Sequence, residues 1–272
     1  MMAQARRLLP VWTVFKRSYA YAWERRDVLA VPYLIYAAIT TVLDLTLDRA
    51  TGGSKPAMLF ALLIDQAFGM AFAVAIQRFV LTGEAGRGAS FFRWDRYFRS
   101  YLVNALLLGF AIGLSAIFLL GLFENIGIMM GVVDAGSLRP IPSPQASALS
   151  LLGLVAAITI GAFVSRVLLT LPAAALGQED RLRIVWAATT GNGLRLLAAS
   201  ILVLLPFITI EVALLRATMD DQGGIVSIGP LSLAIEILSG LVAPLQLIVF
   251  TIMLALDYDA LVRGGGPGRR LS

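Results

Sequence analysis

The sequence predicts an all-α polytopic membrane protein, six transmembrane helices with amphipathic interfacial helices on the cytoplasmic side. Three observations carry that prediction. The chain is 58% hydrophobic and 14% charged, whereas soluble globular chains run at about 45–50% apolar and about 25% charged; its mean hydropathy is +0.83. Apolar runs of about 20 residues, long enough to cross a bilayer, recur from one end to the other. Lys and Arg gather on alternate connections between those runs, as they do in chains oriented by the membrane.

Residues 1–26 form the first unit, an amphipathic interfacial helix. Trp12, Phe15, Tyr19 and Trp23 recur there at helical spacing among Arg and Lys, which sets the aromatics at headgroup depth. The stretch "RRLLPVWTVF" before "AYA" mimics a signal peptide, but Pro10 and Thr13 break its short apolar part and Lys16–Arg17 intrude, so no cleavage is expected. The transmembrane unit, 27–262, holds spans at 27–47, 57–77, 102–123, 149–174, 196–215 and 231–256. Pro32 falls near the start of the first span and Pro56 opens the second. A flexible cytoplasmic tail is expected at 263–272.

The basic residues fix the orientation. Seventeen lie in the N-terminal segment, the second and fourth connections and the tail, and four (Arg49, Lys55, Arg139, Arg216) lie on the opposite side. Both termini are therefore expected in the cytoplasm. The formal net charge of +5 is accordingly an orientation signal, and no nucleic-acid partner is expected.

Within the second connection, "FFRWDRYFRSY" at 91–101 concentrates aromatics and Arg and reads as another interfacial helix. Arg93, Trp94, Arg96 and Arg99, with Trp186 further on, are the candidate lipid contacts, acting as an anchoring collar or as a headgroup site. The third span carries Gly109 and Gly113 as GxxxG, a spacing that lets helix backbones approach within or between chains. The external loops "DAGSLRPIPSPQAS" and "TMDDQGGIVSIG" are too short for a folded domain.

The absence of Cys and His excludes disulfides, iron–sulfur clusters, bis-His haem, the usual copper and most zinc sites, and imidazole proton relays. "GGGPGRR" lacks the spacing of a phosphate loop, and no Ser stands in G-x-S-x-G. No catalytic residue, cofactor or metal is expected.

Ionisable groups inside spans are the remaining pointers. Asp65 lies 12 residues before Gln77 and Arg166 lies 12 before Gln178, so each sits about 18 Å into its span. At matching depth they are expected to face the bundle interior as an ion pair or through water, either fixing helix register or lining a substrate or proton route. Asp44, Glu211 and Glu236 share the outer third as an acidic cluster, which attracts cations or is neutralised by Arg49, Arg139 and Arg216.

"VWAATTGNGLRLL", residues 185–197, first suggests a phosphate cradle. A dinucleotide loop needs a preceding strand and a third Gly where Leu196 stands. The better reading is an elbow: Gly191 stops an interfacial helix in the left-handed conformation, Asn192 caps the next, and Arg195 marks where span five begins.

"AIQRFVLTGE", "LRIVWAATTGNGLRLL" (182–197) and "LALDYDALVRGG" (254–265) resemble stretches of a broad group of bacterial six-span inner-membrane proteins, similar to the membrane domain of glycerophosphoryl diester phosphodiesterases, with alphaproteobacterial members closest. Relatives often carry His at the position of Gln77. The resemblance implies a fold and an inner-membrane location; the phosphodiesterase catalytic domain is missing, so no hydrolase activity is implied. The expected function is a non-enzymatic structural, assembly or accessory role through helix and lipid contacts. The expected partners are membrane lipids, with another membrane protein or a larger complex. A small transporter or channel using Asp65 and Arg166 is the alternative, and an intramembrane lipid-modifying enzyme is the weakest one.

Overall fold

A computed structural model describes residues 8–50, 55–84, 91–92, 94–129, 144–217 and 230–264. Every element among them is helical: α1 Val11–Glu24, α2 Arg26–Ala50, α3 Lys55–Thr82, α4 Arg96–Met129, α5 Pro144–Leu168, α6 Thr170–Ala175, α7 Arg181–Ala188, α8 Gly193–Ala217 and α9 Pro230–Leu261. Five segments are long and apolar enough to cross a membrane: Arg26–Leu43, Leu62–Thr82, Leu151–Ala175, Gly193–Ala217 and Leu233–Leu261.

The core is organised around α9, which packs against α1, α2, α3 and α8. Every residue from Thr251 to Tyr258 is buried, the condition of a helix surrounded on all sides. Opposite it, α3 contributes Phe72, Ile76, Phe79 and Val80 to the same cluster. The other face of α3, through Ala71 and Val74, meets Phe98 and Tyr101 of α4 and Leu171 and Ala174 of α6. The bundle therefore has a basic end, where α3 and α9 finish, α4 and α8 begin, and α1, α6 and α7 gather.

Prolines inside α8 and α9 show how backbone polarity is managed. Pro206 and Pro244 each leave an i−4 carbonyl without its helical partner. Gly240 O, left by Pro244, accepts Thr40 Oγ1 at 3.4 Å, and the neighbouring Leu241 O accepts the Tyr33 hydroxyl at 3.0 Å. Near Pro206, Val203 O accepts the Tyr19 hydroxyl at 2.8 Å. Burial pushes the Tyr19 phenol above its ordinary range, which keeps it a donor. Neighbouring helices thus supply bonds around the prolines, as an apolar surround requires.

Two expected interfacial elements take a different form. No separate helix is described within 91–101, because Arg96 to Tyr101 already belong to α4. Asp95 Oδ1 accepts the backbone N–H of Tyr97 and Phe98 at 2.9 and 3.0 Å, and α4 runs unbroken from Arg96. Phe91, Phe98 and Tyr101 are buried, so half the aromatics of this stretch pack inward. The N-terminal helix begins at Val11 and buries Val14 and Ser18 against the bundle, while Trp12 and Trp23 stay exposed. Residues 1–7 and the tail beyond Gly264 lie outside the described residues.

Candidate functional site

At the basic end, α4, α5 and α7 enclose an open groove of about 870 Å³. The chain reaches α7 by reversing through two left-handed residues, Gly177 (φ 68°) and Asp180 (φ 53°). That reversal brings α7 back onto the end of α5. Asn104, Phe163 and Val167 form one side of the groove; Asp180 to Arg183, Trp186 and Ala187 form the other. Its walls are apolar and aromatic, and its polar groups are two guanidiniums, one carboxylate and one amide.

Arg181 is held in place. Its Nε donates to Gln178 O at 2.7 Å and its Nη2 to Ser100 Oγ at 2.8 Å. Its Nη1 is buried and has no hydrogen-bond partner. No ion pair joins Arg181 or Arg183 to Asp180 or to any other described carboxylate. Arg166, behind the groove wall, is also without an acid. Its Nε donates to Thr189 Oγ1 at 3.0 Å, its Nη2 donates to Trp186 O at 2.8 Å, and its guanidinium lies 3.6 Å from the Trp186 ring centroid. Cation–π contact at such a site is worth about 0.5–2 kcal/mol. Phe163 meets the same ring edge-on at 5.4 Å.

Arg78 behaves otherwise. It pairs with Asp95 and Glu84, each at 2.8 Å, and stacks on Tyr97. That network welds the end of α3 to the start of α4. The acids of the second connection are thus consumed by Arg78, and the guanidiniums around α7 are left to the groove. No family, characterised protein or solved structure matches the chain. The reading of this groove rests on its own chemistry.

The expected pairing of Asp65 with Arg166 does not form. Asp65 is half-buried and accepts the Tyr36 hydroxyl at 3.4 Å, facing α2. Arg166 is engaged by α7, as above. Matching depth presumed one straight helix from Arg166 to Gln178, but α5 ends at Leu168, α6 ends at Ala175, and α7 folds back to the level of Arg166. Among the acidic trio, Glu211 is partly exposed on α8; the side chains of Asp44 and Glu236 lie outside the described residues.

Among the described residues, a Cβ at Gly109 or Gly113 would meet nothing within 4 Å. Close crossings use other glycines, Gly240 against Thr41 and Gly161 against Leu197. Trp94, Arg96 and Arg99 are exposed at the start of α4, with Arg96 Nη2 donating to the Tyr97 hydroxyl at 2.8 Å; Arg93 lies outside the described residues. Among the described collar residues, Trp186 lines the groove. Gly191 is left-handed (φ 84°) between α7 and α8. Asn192 Oδ1 accepts Leu9 N–H at 2.9 Å, and Arg195 Nη1 donates to Leu9 O at 3.1 Å, so the elbow also clamps the N-terminal segment.

Two polar residues whose burial was not read from the sequence sit in the core. Asp257 on α9 and Gln77 on α3 are fully buried, and none of their four side-chain polar atoms has a hydrogen bond. Tyr101 is the polar neighbour that Gln77 faces, but the two miss hydrogen-bond geometry. The signal for Asp257 was the apolar run "IMLAL" continuing past it into "ALV", which carries the helix to Leu261. An orphaned buried amide costs about 1–3 kcal/mol. Gln77→Met, close in shape and without the amide, is therefore expected to raise the detergent-solubilised unfolding temperature by a few degrees. A fall in that temperature would show that the amide is satisfied in the membrane.

Proposed function

We propose that this chain is an integral bacterial inner-membrane protein of six spans, α2, α3, α4, α5 with α6, α8 and α9, working without catalysis through helix and lipid contacts. One observation carries the reading. Within the Leu151–Ala175 segment an 18-residue window has a mean hydropathy of 2.1, yet only 6% of that window is buried. An apolar helix so bare needs lipid or a partner helix around it. Leu106, Leu107 and Phe110 on α4 and Ile201 and Leu205 on α8 extend the exposed apolar surface. The stretches resembling six-span inner-membrane proteins support the same reading, as does the excess of Lys and Arg at the end where α1 packs and α9 finishes.

The lack of Cys makes orientation directly measurable. Single replacements Thr190→Cys and Arg216→Cys, both at exposed positions, stand at opposite ends of α8. In intact spheroplasts a membrane-impermeant thiol reagent is expected to label Arg216→Cys, and to label Thr190→Cys only after permeabilisation. The reverse pattern would overturn the orientation, and labelling of both in intact spheroplasts would overturn the span. For the accessory role, mild-detergent extraction from the native membrane is expected to yield the chain within a larger assembly. Recovery only as a lone monomer would overturn that role.

A further inference from the structure

We propose that the groove between α4, α5 and α7 is a binding site for an anionic glycerophospholipid, its phosphodiester held by Arg181 and Arg183. The inference rests on the membrane reading above and adds to it a ligand class and a place. Phosphate oxygens are matched by guanidinium forks, and two lie here with no described acid paired to them. Arg181 is the more telling. Two of its nitrogens are spent on fixing its position, and the third, Nη1, is buried and unbonded. A buried cationic donor without an acceptor is a defect unless a ligand completes it.

The rest of the groove fits the same molecule. Asp180 leaves the lining with one net positive charge, matching a lipid of one net negative charge. Its carboxylate can accept from headgroup hydroxyls, as a glycerol headgroup offers. Phe163 and Val167 stand one helical turn apart on α5. Beyond them the exposed face of α5 continues through Val155 and Leu152, and that of α4 through Leu107 and Phe110. Acyl chains entering between Phe163 and Val167 would lie along those two apolar faces, with Trp186 at the glycerol level where indoles favour the interface. A soluble phosphate would use the arginines and leave this apolar continuation idle.

Arg183 is the clean position to vary, because it is exposed and its side chain makes no bond to another described residue; Arg181 also anchors Ser100 and Gln178. The purified full chain, stripped of endogenous lipid, is titrated with phosphatidylglycerol or phosphatidylcholine of the same acyl composition, and bound lipid is counted by native mass spectrometry. Wild type is expected to hold one phosphatidylglycerol in clear preference to phosphatidylcholine. Arg183→Gln is expected to weaken phosphatidylglycerol binding about five- to tenfold, with an unchanged lipid-free unfolding temperature. Arg183→Lys should recover part of the loss. Equal binding by wild type and Arg183→Gln, or equal retention of the two lipids, would overturn the proposal. Displacement of the bound lipid by millimolar inorganic phosphate would assign the site to free phosphate and overturn the lipid source. Fractionation of cells separates the two readings: a chain that sediments with membranes yet shows no headgroup preference loses only this site, whereas a chain recovered soluble without detergent loses the membrane reading itself.

Discussion

Gly191→Val is expected to lower stability by about 2–3 kcal/mol, and the loss comes from the backbone alone. Gly191 holds φ at 84°, a region that costs other residues about 1–3 kcal/mol and β-branched ones most. A Cβ there would meet nothing within 4 Å, so crowding contributes nothing. The order of replacements should therefore follow left-handed tolerance and ignore volume. Asn, larger than Ala but at ease in this conformation, should be milder than Ala, and Val should be worst. Thermal unfolding in detergent, followed by loss of the monodisperse chromatographic peak, reads the series directly. A series ordered by side-chain size, or Val equal to Gly, would show that α7 and α8 do not need the turn. The damage should spread, because Thr189 and Asn192 flank the turn. Thr189 accepts from Arg166 and Asn192 holds Leu9, so strain at Gly191 reaches both the groove wall and the N-terminal segment.

The elbow was legible in the sequence because its cause is local: a Gly between a helical face and an Asn needs no tertiary partner to be read. Five apolar helices were legible for a similar reason, since span length and composition are properties of the run itself. What depended on which helix meets which was not. GxxxG at Gly109 and Gly113 marks a small-residue face of α4, yet spacing does not say whether a neighbour stands opposite, and no described residue comes within 4 Å of a Cβ there. Gly240 carries no such motif and makes the close crossing. Depth counting placed Asp65 and Arg166 on one level, but it presumed helices that do not break. The break after Leu168 and the return of α7 moved Arg166 from the bundle interior to the rim of the groove. The aromatic collar at 91–101 divided along its helical face, with Phe98 and Tyr101 inward and Arg96 and Arg99 outward.

The same logic explains why Asp257 and Gln77 escaped notice. Each lies near the basic end of its helix, where a carboxylate or amide reads as a solvated boundary group. Their burial is caused from outside, by α1, α6 and α8 closing over the ends of α3 and α9. The helices gathered at the basic end thus do two things at once. They seal the core around α9, and by folding α7 onto α5 they leave Arg181 and Arg183 on an open groove. Among the described residues the groups of the groove sit at that end because α7 folds back there onto α5.

Gly240→Val tests the opposite physics to Gly191→Val, since its effect is crowding with no backbone strain. A Cβ at Gly240 would press on Thr41, with the Thr41 Cβ at 3.2 Å and its backbone Cα at 3.4 Å. Backbone cannot rotate away, so α2 and α9 must separate. Separation also pulls Thr40 Oγ1 from the Gly240 carbonyl that Pro244 leaves without a helical donor. Overpacking typically costs about 1–3 kcal/mol and an orphaned carbonyl about as much again. The expected loss is about 2–4 kcal/mol, larger than helix propensity returns when Gly is replaced. Gly240→Ala should be milder, and adding Thr41→Ala to Gly240→Val should recover part of the stability by removing the side chain in the way. At Gly191 no second-site trimming should help, because nothing is crowded there. The two glycines share no described contact, so their effects should add. Unaltered unfolding of Gly240→Val, or rescue of Gly191→Val by trimming a neighbour, would mean that the α2–α9 crossing or the elbow is held by something else.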